Sequence, residues 1–390
     1  MVRVSTIERS FYEDVITMSK NIRFKWLGLA GLTVGVALLG ACVAPEEEQN
    51  AAPGNVAVVD DAVDPAAGDV SVKLSANEVA VGADEDVSVT VTLTNNARHA
   101  VRLLAWYAPS EELEEDLFAV TRDGQPVEYI GPHYKRPAPQ EKDFVVIAPG
   151  KSVTREVSLS NFYDLSKTGN YEIRYAVELK GASGKEPAAV ESNDASLWIE
   201  GRANNSPDAK AAAGGTAEFT SSVAFNKCTT TQQSTVMSAL GAASTMADDA
   251  SAYLAGSAAA NPRYTTWFGA FSSNGWGTAQ GHFSAIKDAI DTKSIKFDCG
   301  CKKQYYAYVY PAQPYTIYLC SVFWNAPLSG TDSKGGTIIH EMSHFDVVAG
   351  TDDYAYGQTN AKALAKSDPS QALFNADNHE YFAENTPFLQ

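Results

Sequence analysis

The chain lacks any run of Lys or Arg long enough to track a phosphate backbone, and its 30 basic residues are outnumbered by 47 acidic ones, a net charge of -17. Nucleic acid is therefore not an expected partner, and the surface is a solvated, anionic one. Long apolar runs are missing too. The longest, Trp26 to Leu39, falls short of the ~20 residues that a membrane helix needs. Cysteine is scarce, five in 390 residues, and never arranged as repeated C-x2-C knuckles, which argues against a thiolate zinc site. Histidine is nearly as rare, at six. With so few, two histidines at a fixed spacing carry information.

At 390 residues the chain is long enough for two domains, each with its own core. Lys20, Arg23 and Lys25 precede the apolar run, so residues 1–45 are expected to be an export signal, with Met18 as a second candidate start. Leu39-Gly40-Ala41-Cys42 resembles the lipobox of bacterial lipoproteins, which implies lipidation at Cys42 and a cell-envelope location. Val43 in place of Asp argues, within that pattern, against retention at an inner membrane. Residues 46–68, rich in Ala, Pro, Glu and Asp, are expected to be a disordered tether.

From 69 to 200 the pattern is that of strands. Val87, Val89, Val91 and Leu93 alternate with polar residues, as do Val153, Val157 and Leu159, and Tyr171, Ile173, Tyr175 and Val177. Asp123-Gly124 and Ala148-Pro149-Gly150 mark turns. The run YDLSKTGNY, Tyr163 to Tyr171, resembles the tyrosine corner of immunoglobulin-like domains, so this region is expected to be an immunoglobulin-like β-sandwich. It is expected to serve as a pro-domain, with a permanent surface spacer or adhesive module as the alternative. His99 and His133 lie in it as isolated histidines, expected on the surface or in loops. Residues 201–218 are a linker. In 219–390 helical periodicity appears at Gln232 to Leu254, His282 to Ile290 and Thr337 to Val348, with a strand pair at Tyr306 to Tyr310 and Thr316 to Leu319. That is an α+β arrangement.

His340-Glu341-Met342-Ser343-His344 sits in the last of these helices. Two imidazoles four residues apart share one helical face and can reach one Zn2+, and Glu341 between them can meet a water held there. A catalytic zinc takes three protein ligands. The metzincin extension is ruled out, because its Gly and His positions hold Val347 and Gly350. Glu380 or Glu384, and Asp353 just past the helix-breaking Gly350-Thr351, stay open as the third.

G-T-D-D-Y-A-Y-G at 350 to 357, after H-E-M-S-H-F, resembles the aspzincin signature of the deuterolysin and peptidyl-Lys metalloendopeptidase families. PRYTTWFG at 262 to 269, FDCGC at 297 to 301, YVYP at 308 to 311 and NADNHEYFAEN at 375 to 385 are similar to the peptidyl-Lys branch, and the resemblance spans 223 to 390. It implies a zincin-like metallopeptidase domain with one Zn2+ per chain held by His340, His344 and Asp353, Glu341 as general base, and Tyr356 at the developing oxyanion. It implies disulfides Cys228 with Cys299 and Cys301 with Cys320, in accord with the strain expected if Cys299 and Cys301, one residue apart, were joined. It also implies cleavage of X–Lys bonds, with Asp377 and Glu380 receiving the lysine; His379 between them has no expected role.

The expected protein is thus an exported, monomeric endopeptidase acting on lysine-containing proteins and touching a membrane only through a lipid anchor. A deuterolysin-like enzyme of broader specificity and a surface-anchored binding protein with an inactive peptidase domain are the alternatives.

Overall fold

Alternation of β-branched residues builds the first half of the fold. In the computed structural model, which describes residues 62–110, 112–179, 188–202 and 222–390, strands Val70–Ala76, Ser88–Asn95 and Ser152–Ser158 form an antiparallel sheet. Val87, Val89, Val91, Leu93 and Val157 lie wholly buried beneath it. A larger sheet is organised on the long strand Gly169–Leu179, which buries Tyr171, Ile173 and Tyr175. Arg122 to Gln125 turns through Asp123 and Gly124, both at positive φ, which is the geometry that Asp-Gly favours in a hairpin. The Tyr171 hydroxyl donates to the Lys167 carbonyl, four residues upstream. The export segment, Cys42, most of the tether and most of the linker lie outside the described residues. Among the described residues no helix is long and apolar enough to cross a membrane.

One short strand of this half goes elsewhere. His133–Lys135 (β1) joins Val223–Asn226 (β2), Ile295–Asp298 (β3), Ala307–Val309 (β4) and Thr316–Leu319 (β5) in a sheet of order β2-β3-β5-β4-β1. β2, β3 and β5 run parallel; β4 is antiparallel to β5, and β1 is antiparallel to β4. The disulfides are Cys228–Cys299 and Cys301–Cys320. They tie the ends of β2 and β3 together and secure the loop between β3 and β5.

Helices pack on this sheet in the order Thr230–Leu254 (α1), Pro262–Phe268 (α2), Ser273–Thr292 (α3), Lys334–His344 (α4), Gly357–Ser367 (α5), Pro369–Ala372 (α6) and Ala376–Glu384 (α7). α1 is capped by a reciprocal Thr229–Gln232 box and buries Val236, Ala239, Ala243, Ala247, Ala250 and Leu254 at helical spacing. Its small face lets α4 come close, and every residue of α4 is buried among α1, α3 and α7. Burial of Ile338, Ile339 and Met342 contributes roughly 1.5–3 kcal/mol each.

Two helix boundaries differ by four residues or more from those the periodicity predicts. α3 starts at Ser273, nine residues before His282, because Ser272 caps Gly275 and Gly-rich turns hide the period. α4 ends at His344, short of Val348, because the chain turns back through Gly350 at φ +56° and the Thr351 amide donates to the Ser343 carbonyl. That turn brings the next carboxylate back to the helix.

Candidate functional site

The site begins at the start of α4, where Ser333 caps the helix by accepting from the Gly336 amide. Glu384, at the end of α7, accepts from the Ser333 amide and hydroxyl, each at 2.8 Å. Burial, with Glu380 nearby, pushes its carboxyl up to about 9. Glu384, left open as a metal ligand by its spacing, is therefore committed to the opposite end of the helix from His344. A Cβ on Gly336 would come within 2.1 Å of its carboxylate oxygen. Gly336→Ala is expected to cost about 1–3 kcal/mol in spite of the ~1 kcal/mol that alanine gains in a helix interior. A rise in the denaturation midpoint would contradict this packing.

Downstream, the imidazoles of His340 and His344 lie 4.8 Å apart, centre to centre. The His344 Nδ1 is 2.8 Å from the Thr351 carbonyl, which assigns the proton to Nδ1 and leaves Nε2 free. Nε2 of His340 and of His344 lie 3.2 and 3.5 Å from the two carboxylate oxygens of Asp353. These three side chains are buried, and the atoms that face one another have no hydrogen-bond partner. Burial opposes ionisation of Asp353, but the two imidazoles outweigh it and hold the carboxyl well below the usual range. Both Glu341 oxygens are buried and unpartnered beside this cluster, and burial pushes that carboxyl up to about 7.

The loop carrying Asp353 is clamped to α7. Asn375 exchanges hydrogen bonds with the Ala355 backbone, and Asp377 accepts from the Gly357 amide at 2.6 Å. Asp377 also lies 2.9 Å from the His340 Nδ1, so it supports the imidazole. Glu380 lies 3.4 Å from the same nitrogen. It stands on the far side of His340 from Asp353 and is not placed with the His344 and Asp353 cluster. His379 points away, stacked on Phe283 and 3.0 Å from His282.

Three residues of the site were not legible as such in the sequence. His133, expected alone on a surface or loop, instead lies partly buried with its ring 5.1 Å from that of His344 and Nδ1 3.5 Å from Asp352. Lys135 is buried with Nζ 2.5 Å from Glu380, 3.6 Å from Asp377 and 3.8 Å from Asp332, and over the Tyr306 ring. Burial opposes its charge, but the three carboxylates outweigh that and raise its pKa well above the usual value. Asp332 is thus the third carboxylate around Lys135, and it accepts from the Tyr381 hydroxyl. The Tyr356 hydroxyl donates to Glu115 at 3.0 Å and accepts from Arg136 at 2.6 Å. The antiparallel pairing of β1 with β4 brings Lys135 to α7 and His133 to His344, and no local pattern signals it.

A family model described as lysine-specific metallo-endopeptidase matches residues 253–384. An extracellular protease of Aeromonas hydrophila is 51% identical over 312 residues, covering 78% of this chain and 90% of the relative. A peptidyl-Lys metalloendopeptidase of Grifola frondosa is 38% identical over 330 residues, covering 82% and 93%. Among solved structures, a zinc peptidase from Grifola frondosa is 46% identical, covers 42% of this chain and all of its own, and has a TM-score of 0.41.

Proposed function

The chain belongs to the aspzincin family of zinc-dependent metallo-endopeptidases, and from that premise we propose that it hydrolyses peptide bonds on the amino side of lysine, using His340, His344 and Asp353 to hold one zinc ion. The observation that carries this reading is the convergence of three buried ligand atoms, all within 4.8 Å of one another, beside the unpartnered Glu341. Two ligand atoms at about 2.0–2.1 Å from a tetrahedral zinc lie about 3.4 Å apart. The spacings of 3.2 and 3.5 Å fit that ion, and two neutral imidazoles with one carboxylate are a zinc donor set.

When bound, the metal supplies a Lewis acid that makes water a stronger nucleophile and polarises the scissile carbonyl. Glu341 takes the proton of the attacking water and later passes it to the departing amine. The role proposed for Tyr356, once released from Arg136 and Glu115, is to donate to the oxyanion, as the family resemblance implies. Thr351 and Asp377 orient the two imidazoles from behind.

Lysine specificity rests on Asp377 and Glu380, with Asp332 beside them, and an ammonium group already sits among them in the form of Lys135. In the active enzyme, Glu380→Gln is expected to lower kcat/KM for X–Lys peptides roughly 100-fold, because a buried ammonium loses its nearest counter-charge. Zinc content should stay the same. An unchanged preference for lysine over norleucine would remove Glu380 from the pocket.

The region 69–200, as an immunoglobulin-like sandwich, is proposed as the pro-domain of an exported precursor whose amino-terminal Cys42 carries lipid. The similarity to an extracellular protease supports export. Labelling with a fatty-acid analogue would be absent from Cys42→Ser if the anchor reading holds, and equal in both chains if it does not. Metal analysis together with mass-spectrometric mapping of cuts in an unfolded protein tests the whole reading. Zinc at one per chain and cuts before lysine are expected, and cuts scattered over apolar residues would leave the broader deuterolysin-like activity instead.

A further inference from the structure

A buried lysine is costly unless its charge is met, and Lys135, 1% exposed at its side chain, is met by the three carboxylates of the pocket proposed for substrate. Its backbone is equally suggestive. β1 is the terminal strand of the catalytic sheet, with His133, Tyr134 and Lys135 opposite Val309, Tyr308 and Ala307 of β4, and the Tyr306 amide donates to the Lys135 carbonyl at 3.0 Å. Addition of an extended peptide to a sheet edge is a common way of binding peptides: main-chain bonds hold it and alternate side chains fill pockets. Here alternation sends His133 and Lys135 to the same face. His133 lies over His344 and Asp352, while Lys135 fills the acidic pocket. Arg136 engages the Tyr356 hydroxyl and pairs with Glu115. The segment thereby covers the metal cluster, the lysine pocket and the proposed oxyanion donor together.

Both ends of this segment are fixed to the amino-terminal sheets. Tyr129 bridges to Tyr163 before it, and Phe144–Ile147 pairs with Val101–Leu104 after it. An occupant tethered in this way acts at an effective concentration in the mM range, above that of most free substrates.

We propose that residues 133–136 are the enzyme's own inhibitor, bound as a substrate is bound, with Lys135 seated as the residue on the carboxyl side of the bond offered to the metal, so that the full-length chain is closed to other lysine peptides. The proposal rests on the lysine-pocket reading above.

The test uses full-length protein carrying Glu341→Gln, which keeps the chain uncut. Binding of a short fluorescent peptide with one central lysine is compared with that of its norleucine counterpart, with and without Lys135→Ala. Lys135→Met, which keeps the length of the side chain, is a second variant, and zinc content and circular dichroism check the fold. With Lys135 in place the lysine peptide is expected to bind about 100-fold more weakly than without it, in line with a tether in the mM range, and only the lysine peptide should gain. Equal affinity with and without Lys135 would overturn self-inhibition while leaving the pocket intact, provided lysine is still preferred. Equal binding of the lysine and norleucine peptides once Lys135 is gone would overturn the pocket reading and the inhibitor with it. If neither variant gains affinity, Lys135 is not what closes the cleft.

Discussion

Glu341→Gln is expected to cut peptides about 10²–10⁴-fold more slowly than the parent enzyme while keeping its zinc. Glutamine is nearly isosteric with glutamate, so α4, in which every residue is buried, tolerates it without a cavity. What is lost is the proton acceptor. The two Glu341 oxygens have no hydrogen-bond partner in the fold, so the carboxylate is free to meet a water and a departing amine. Because Glu341 is not among the atoms that converge on Asp353, metal affinity should hardly move. Steady-state kinetics on an X–Lys peptide, paired with metal analysis of the same sample, reads both quantities. A variant that keeps its rate, or loses its zinc, would take the general-base role away from this residue.

Asp353→Ala should fail in the opposite order, losing metal first and activity as a consequence. Its two oxygens face Nε2 of both imidazoles, and no other carboxylate does so among the described residues. A structural zinc site is worth roughly 10–16 kcal/mol, so one ligand of three carries on the order of 3–5 kcal/mol, a few hundred- to several thousand-fold in affinity. The fold itself should survive, because removing a buried carboxylate also removes the cost of burying it. Titration against a zinc-sensitive dye measures the loss, and excess zinc, by refilling the weakened site, should restore part of the activity. Tight zinc binding by Asp353→Ala would remove Asp353 from the ligand set.

These two expectations rest on different kinds of information. That His340 and His344 share a face follows from 3.6 residues per turn, a property of the chain within five residues. The carboxylate that completes the cluster is a different matter. Spacing left Asp353, Glu380 and Glu384 open, and only family resemblance favoured Asp353. Its reach depends on where α4 stops, and the periodicity carried that helix four residues too far. The turn at Gly350, the Thr351 bonds and the clamp from Asn375 place Asp353 against the imidazoles, while Glu384 is held at the far end of α4 by Ser333.

By itself the sequence determined the strand runs around Val91, Val157 and Ile173 and the helix that carries H-E-x-x-H, because each is written in spacings of two to four residues, and its motifs pointed to the family. The placing of Lys135 among three carboxylates was decided by the tertiary structure alone. Lys135 and Arg136 belong to a segment that looks like one more loop among strands, and no local rule distinguishes it. Their meaning arises when the free edge of β4 accepts β1, since backbone hydrogen bonds across a sheet edge join residues however distant they are along the chain.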